Sequence, residues 1–106
     1  MSTAIKTLSI IIPAYNEERT IHHILDKVRD VVLRDGIGKE VIIVNDGSKD
    51  GTTAAIARYI AANPAMGIRL HEQPRNMGKG AAIHTGIELA AGEYLIVQDA
   101  DLEYDP

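Results

Sequence analysis

The sequence predicts an α/β protein of three layers, with a parallel four-stranded sheet of order 3-2-1-4 and helical crossovers. Three observations carry that expectation. Short aliphatic runs, largely β-branched, alternate with longer segments of helical periodicity, so the elements read β-α-β-α-β-α-β. The runs give way to loops rich in Gly, Pro, Asn and Asp, the residues that end strands and make turns. Phe and Trp are both absent, which leaves an aliphatic core of the kind a parallel sheet covered by helices requires. Such alternation gives a doubly wound sheet whose switch point lies between strands 1 and 4.

Taken in order, residues 7–12 (TLSIII) form the first strand, which should stop at Pro13 because proline has no N–H for the ladder. Asn16 is a good N-cap, and Glu17 and Glu18 put negative charge in the first helical turn. Ile21, Ile24, Leu25, Val28, Val31 and Val32 then follow helical spacing toward an end near Asp35 and Gly36. Residues 40–45 (EVIIVN) read as a buried second strand, followed by a cluster of turn formers, DGSKDG. Asp50 or Ser48 can cap the second helix, on which Thr53, Ile56, Ala57 and Ile60 share a face and which Asn63 and Pro64 end. A third strand fits residues 68–72, and residues 73–80 (QPRNMGKG) make a loop. Ala82, Ile83, Gly86, Ile87 and Ala90 line a third helix stopped by Gly92, and residues 94–97 (YLIV) read as a buried fourth strand.

Composition narrows the function classes. A chain of 106 residues is one domain at most, and 45% hydrophobic with 25% charged residues is ordinary for a soluble globular protein. The net charge of -4 supplies no basic footprint, so neither nucleic acid nor an anionic membrane surface is an expected partner. There is no cysteine, hence no disulfide, thiolate nucleophile or Cys-based zinc site. No apolar run approaches the span of a bilayer and the N-terminus lacks a signal peptide's apolar core, so a cytoplasmic location is expected. No internal repeat or linker interrupts the pattern.

In the expected order, the loops PAYNEE, NDGSKDG and QDADLE converge outside the carboxyl ends of the strands, where open α/β sheets bind ligands. Asp99 and Asp101 stand two positions apart after an apolar run, so an extended backbone sends both carboxylates to one side. At about 4 Å such a pair repels by roughly 1 kcal/mol in water and about 4 kcal/mol at an effective dielectric of about 20. The arrangement asks for a cation, and hard oxygen ligands suit Mg2+ or Mn2+; a solvated acidic turn is the other reading. Asp46 can accept a hydrogen bond from a nucleobase imide or a ribose, or can steady the turn at Gly47 and Ser48. Tyr15 can stack on a base or simply pack, and Glu17 can meet a ligand or serve as a helix N-terminal charge. Lys79, between Gly78 and Gly80 at a helix start, stands where backbone N–H groups and the dipole favour phosphate. Neither G-x-x-x-x-G-K-[ST] nor G-x-G-x-x-G after the first strand is present, against a P-loop NTPase and a standard dinucleotide site. His22, His23, His71 and His84 show no metal-ligand spacing, and Ser48 has no histidine base at a recognisable spacing.

With these residues together, the chain resembles the N-terminal part of the family 2 glycosyltransferases, inverting nucleotide-sugar transferases of the GT-A fold. IIIPAYNEE, VIIVNDGSKDGT, RNMGKGAAIHTGIELAAGEY and QDADLEYDP occur in the family's order and spacing and cover nearly the whole chain. The form is similar to the polyprenyl-phosphate sugar transferases, the dolichol-phosphate mannose synthase-like branch. The resemblance implies a Rossmann-like GT-A half-domain in which Pro13, Tyr15 and Glu17 border the nucleotide and Val44 and Asp46 lie beside the base. It implies that Asp99 and Asp101 hold a divalent cation bridging the donor diphosphate, with Glu103 as a third ligand and Ala100 approaching the nucleotide by its backbone. Lys79 would help neutralise the diphosphate. Asn45 departs from the pattern, since many relatives carry an aspartate there, but the base contact belongs to the next position, Asp46.

The function the resemblance implies is metal-dependent transfer of a sugar from a UDP- or GDP-linked donor to an acceptor such as a polyprenyl phosphate, on the cytoplasmic face of a membrane. Residues 1–106 would be the donor-binding half, cut off after the Asp-X-Asp motif and inactive without an acceptor half. The alternative is a non-catalytic nucleotide-binding or assembly module of the same origin. An exposed sheet edge beside strand 4 would favour self-association. A flavodoxin-like or response-regulator domain fits less well, because a proline follows strand 1 and no acidic cluster stands there.

Overall fold

The structure is a computed structural model that describes residues 6–34 and 36–100. Four strands, β1 (Thr7–Ala14), β2 (Gly38–Asn45), β3 (Arg69–Glu72) and β4 (Tyr94–Val97), form one sheet in the order β3-β2-β1-β4. Every pairing is parallel, with Thr7 opposite Gly38, Leu8 opposite Tyr94, and Ile42 opposite Arg69. Helices α1 (Ile21–Asp30), α2 (Thr52–Ala62) and α3 (Lys79–Leu89) supply the crossovers, and a short 3-10 turn covers Pro64–Met66. The expected three-layer α/β sheet of order 3-2-1-4 is the one observed.

The side chains of the two central strands alternate between two cores, as a strand covered on both faces must. Ile10, Ile12, Ala14, Val41 and Ile43 pack with Ile21, Ile24, Leu25 and Val28 of α1 and Ile56 and Tyr59 of α2. Ile42 and Val44 point the other way and meet Ala82 of α3. On that face Gly86 lies so close to Ile11 that a Cβ there would enter the space of the isoleucine Cγ2, so the missing side chain sets how near α3 lies to β1. Each fully buried Ile or Leu contributes roughly 1.5–3 kcal/mol relative to exposure, so the sheet centre carries most of the stability.

Several elements differ from their expected bounds. β1 continues through Pro13 to Ala14, with Pro13 opposite Val44. The ladder explains how. Gln98 N–H donates to Ile11 O and Asp46 N–H donates to Ala14 O, so Ile11 and Pro13 address β4 whereas Ala14 addresses β2. The missing N–H of Pro13 therefore faces β4 beyond the last matched pair, Ile11 and Val97, and leaves the ladder to β2 intact.

Helix α1 begins at Ile21 rather than beside Asn16, and it ends at Asp30. Lys39 explains the early stop, because its ammonium donates to Val28 O at 2.7 Å, Arg29 O at 3.0 Å and Val31 O at 2.7 Å. All three ammonium donors close off the last carbonyls of the helix, and Val32 is left 89% exposed. The expected buried character of β4 is also corrected. Tyr94, Leu95, Ile96 and Val97 are each 43–52% exposed, because among the described residues β4 pairs with β1 alone and α3 covers β1 and β2 instead.

At the amino ends of the strands a polar network turns the chain from α3 into β4. Glu40 Oε1 accepts from Ser9 Oγ at 2.7 Å and from Ala91 N–H at 2.8 Å, and Ser9 Oγ accepts from Gly92 N–H at 2.9 Å. Arg69 donates to Leu89 O at 3.0 Å, next to Glu40. The Ala91 N–H, with help from Ser9 and against the opposing effect of burial, holds the Glu40 carboxyl below the usual glutamate range. A depressed carboxyl stabilises the fold above its unfolded value of about 4.3, and that contribution disappears as pH falls through the folded value. Glu40→Gln is thus expected to be less stable at pH 7, by roughly 1 kcal/mol. The gap should close as pH falls through the depressed folded value, where wild-type Glu40 takes up its proton too. Urea denaturation at several pH values checks this, and a gap independent of pH would contradict it.

Candidate functional site

The carboxyl ends of β1, β2 and β4 meet at a cleft of about 280 Å3 on the switch point of the sheet. Of the residues expected there, Pro13, Tyr15, Glu17, Asp46, Lys79 and Asp99 line it, joined by Ala14, Asn76, Gly78 and Ala82. Val44 is fully buried on the α3 side of the sheet, below the cleft. Ala100 is fully buried as well, in the core shared with α1 and α2. Asp101 and Glu103 lie outside the described residues.

The walls are loops laced to each other by backbone N–H groups. In the loop after β1, Asn16 N–H donates to Ser48 Oγ at 2.9 Å and Glu17 N–H to Thr52 Oγ1 at 2.7 Å. The loop after β2 answers, with Lys49 N–H donating to Asn16 Oδ1 at 2.8 Å and Gly51 N–H to Glu18 Oε1 at 2.9 Å. Asn16 adopts φ 53, in the left-handed region that asparagine tolerates better than most residues. Its side chain bridges loops instead of capping a helix. Ser48 Oγ in turn donates to Asn45 Oδ1, and Asn45 Nδ2 donates to Thr53 Oγ1 at 2.8 Å, so the departure from aspartate at position 45 is used as a two-way hydrogen-bonding amide. Burial opposes ionisation of Asp50, but the Thr52 hydroxyl and N–H and the Glu18 N–H together hold its carboxyl below the usual range.

Asp46 organises the third wall. It is 2% exposed, and its two oxygens accept from Met77 N–H at 2.9 Å and Gly78 N–H at 3.0 Å. Beside it, Gly47 has φ +69, and a Cβ there would collide with the backbone of Arg75 and Asn76. The loop before α3 thus rests directly on Asp46 and Gly47. Gly78, at φ 99, is the N-cap of α3, so this seat decides where the helix starts.

At that start stands Lys79, whose Nζ forms an ion pair with Asp99 Oδ2 just past β4. The cleft therefore holds a carboxylate, an ammonium and the positive end of a helix dipole within one small volume. Such a set suits a phosphate and its counter-ion. Asp99 is a hard oxygen donor of the type Mg2+ or Mn2+ takes, while among the described residues no group of three or more potential ligands occurs. The histidines take no part in the cleft; the His22 and His23 rings lie on α1 with centroids 3.9 Å apart and tilted by 40°, and His71 contacts Gln73 at 3.1 Å. Asn76 and Ala82 were not singled out by sequence. The glycine-rich loop that carries Asn76 was the available signal, and Ala82 reads from periodicity as a core position only.

Comparison with known proteins agrees with this geometry. A family model described as "Glycosyl transferase family 2" matches residues 9–106. A dolichyl-phosphate beta-glucosyltransferase of Trichomonas vaginalis is 40% identical over 98 residues, covering 88% of this chain and 28% of that protein. The undecaprenyl-phosphate 4-deoxy-4-formamido-L-arabinose transferase of Aeromonas hydrophila is 38% identical over 107 residues, covering 99% of this chain and 32% of that one. Among solved structures, the mannosyltransferase PcManGT from Pyrobaculum calidifontis, in complex with GDP-Man and Mn2+, superposes with a TM-score of 0.82 at 33% identity. It is covered over 93% of this chain and 28% of its own. The chain thus spans less than a third of the length of these relatives. The match over residues 9–106, with the sheet order and the cleft at its switch point, places the chain in glycosyl transferase family 2.

Proposed function

We propose that this chain is the donor-binding part of a transferase that moves a sugar from a UDP- or GDP-linked donor to a polyprenyl phosphate, with inversion and with a divalent cation. One observation carries the reading: Asp99, Lys79 and the start of α3 meet on a cleft walled by Pro13, Tyr15, Glu17 and Asp46. Pro13, Tyr15 and Glu17 would border the nucleoside, with Val44 and Asp46 beneath the base and Ala100 offering backbone past β4. Sugar transfer builds negative charge on the departing diphosphate, and Lys79 with the α3 dipole can neutralise part of it. Asp99, Asp101 and Glu103 would hold the cation, which as a Lewis acid stabilises the same leaving group. The relatives' names support a polyprenyl-phosphate acceptor, and the neighbour solved with GDP-Man and Mn2+ supports the donor class and the metal. A phosphate acceptor is already anionic and needs little help from a general base.

Titration calorimetry with UDP and with GDP, each with and without Mn2+, tests the proposal. Metal-dependent binding of one nucleotide is expected, falling at least about tenfold in Asp99→Ala and in Asp101→Ala, a loss of 1.4 kcal/mol or more. Binding that neither substitution changes would sink the metal assignment.

A further inference from the structure

We propose that the groove between α1 and α2 is a second anion site, built to take a phosphate group apart from the donor cleft. The groove has a volume of about 490 Å3 and is lined by Glu18, Arg19, His22, Ala55, Arg58 and Tyr59. It opens beside the cleft, since Glu17 lines the one and the next two residues line the other. Arg19 and His22 stand three positions apart where the chain enters α1, and Ala55, Arg58 and Tyr59 share one side of α2. The small side chain of Ala55 leaves room between the helices.

Unspent positive charge marks this groove. Among the described residues, no hydrogen bond or ion pair engages Arg19 or Arg58, and His22 has only its ring contact with His23. The nearby carboxylates are committed elsewhere. Glu18 Oε1 accepts from Gly51 N–H at 2.9 Å, while Asp26, one turn beyond His22, accepts from the Tyr59 hydroxyl at 2.8 Å and pairs with Arg29 at 3.5 Å. Two guanidinium groups on one groove repel each other, and an anion between them turns that repulsion into attraction. Phosphate oxygens match the planar forks of arginine, two N–H donors to two oxygens, and an imidazole N–H supplies a further donor. The net charge of -4 gives anions no long-range attraction, so the affinity must come from contact with these three side chains. A free phosphate and the headgroup of an anionic phospholipid share this chemistry. The site stands whether or not the cleft takes a nucleotide.

Two-dimensional amide NMR of the chain, titrated with inorganic phosphate against sodium chloride of equal ionic strength, tests the site. Sedimentation with phosphatidylcholine vesicles, with and without phosphatidic acid, forms a second arm. Phosphate should shift the amides of Arg19, His22, Ala55 and Arg58 saturably, where chloride does not. Arg19→Gln combined with Arg58→Gln should weaken that binding at least about tenfold. Both arginines are exposed, so the fold should survive the change. Arg19→Lys with Arg58→Lys keeps the charge but loses the forks, and should fall between the two. Saturable shifts without vesicle binding would identify a free phosphate as the occupant. Vesicle binding that needs phosphatidic acid and is lost in the glutamine variant would identify a lipid headgroup. No response in either arm, or a response that chloride reproduces or the glutamine variant retains, would overturn the site.

Discussion

Asp46→Ala should destabilise the chain by roughly 2–4 kcal/mol and detach the loop that carries Lys79. The carboxylate is buried and both its oxygens accept from backbone N–H groups, those of Met77 and Gly78. Removing a charged acceptor leaves those donors without their partner, at about 1–3 kcal/mol each where water cannot replace it. Gly78 N–H keeps a second acceptor in Asn76 Oδ1 at 3.1 Å, so Met77 bears the larger loss. Asp46→Asn should rescue little, because its amide nitrogen would meet one of the two N–H groups donor to donor. Urea denaturation gives the stability, and amide hydrogen exchange locates the change. Unaltered protection of Met77 and Gly78 in Asp46→Asn would show that the loop does not hang on this carboxylate.

Gly47→Ala should be costlier still for its size, at roughly 3–5 kcal/mol, from two additive sources. The φ of +69 strains any L-residue, by about 1–2 kcal/mol. In addition the new Cβ would strike backbone atoms of Arg75 and Asn76, which have no rotamer through which to yield. Gly67→Ala is the matched control, since Gly67 has φ +60 with no atom of the described residues within 4 Å of its Cβ position. That control should lose only the strain. The difference between the two measures the contact between the loops, and equal losses would mean that the loop moves aside freely. Nucleotide affinity should fall in Gly47→Ala alone, because a displaced residue 76 shifts the start of α3.

Much of this architecture was legible in the residues. The β-branched runs around Ile10–Ile12 and Val41–Val44 are too short for helices and too apolar for surface strands, so a central parallel pair was the available solution. The fully buried Ile11, Ile12, Ile42 and Ile43 agree with it. Pro13 misled by a rule that holds for the interior of a ladder but not beside its end. Asn16 misled because a good N-cap residue is also a good bridge between loops, and only the neighbouring loop decides which. The length of α1 was likewise not local, since Lys39 ends it from another element.

Sequence by itself determined the elements, their alternation and parallel order, and the polar loops from which the cleft is drawn. Those properties follow from periodicity and turn chemistry, which act over a few neighbouring residues. Tertiary structure alone decided what each polar side chain does. Asp46 could have faced a base or a turn, and it holds Met77 and Gly78, 31 and 32 residues away. Lys79 finds Asp99 only because α3 and β4 both flank β1. A carboxylate's partner is set by which groups the fold brings within about 3 Å, and no local pattern encodes that distance.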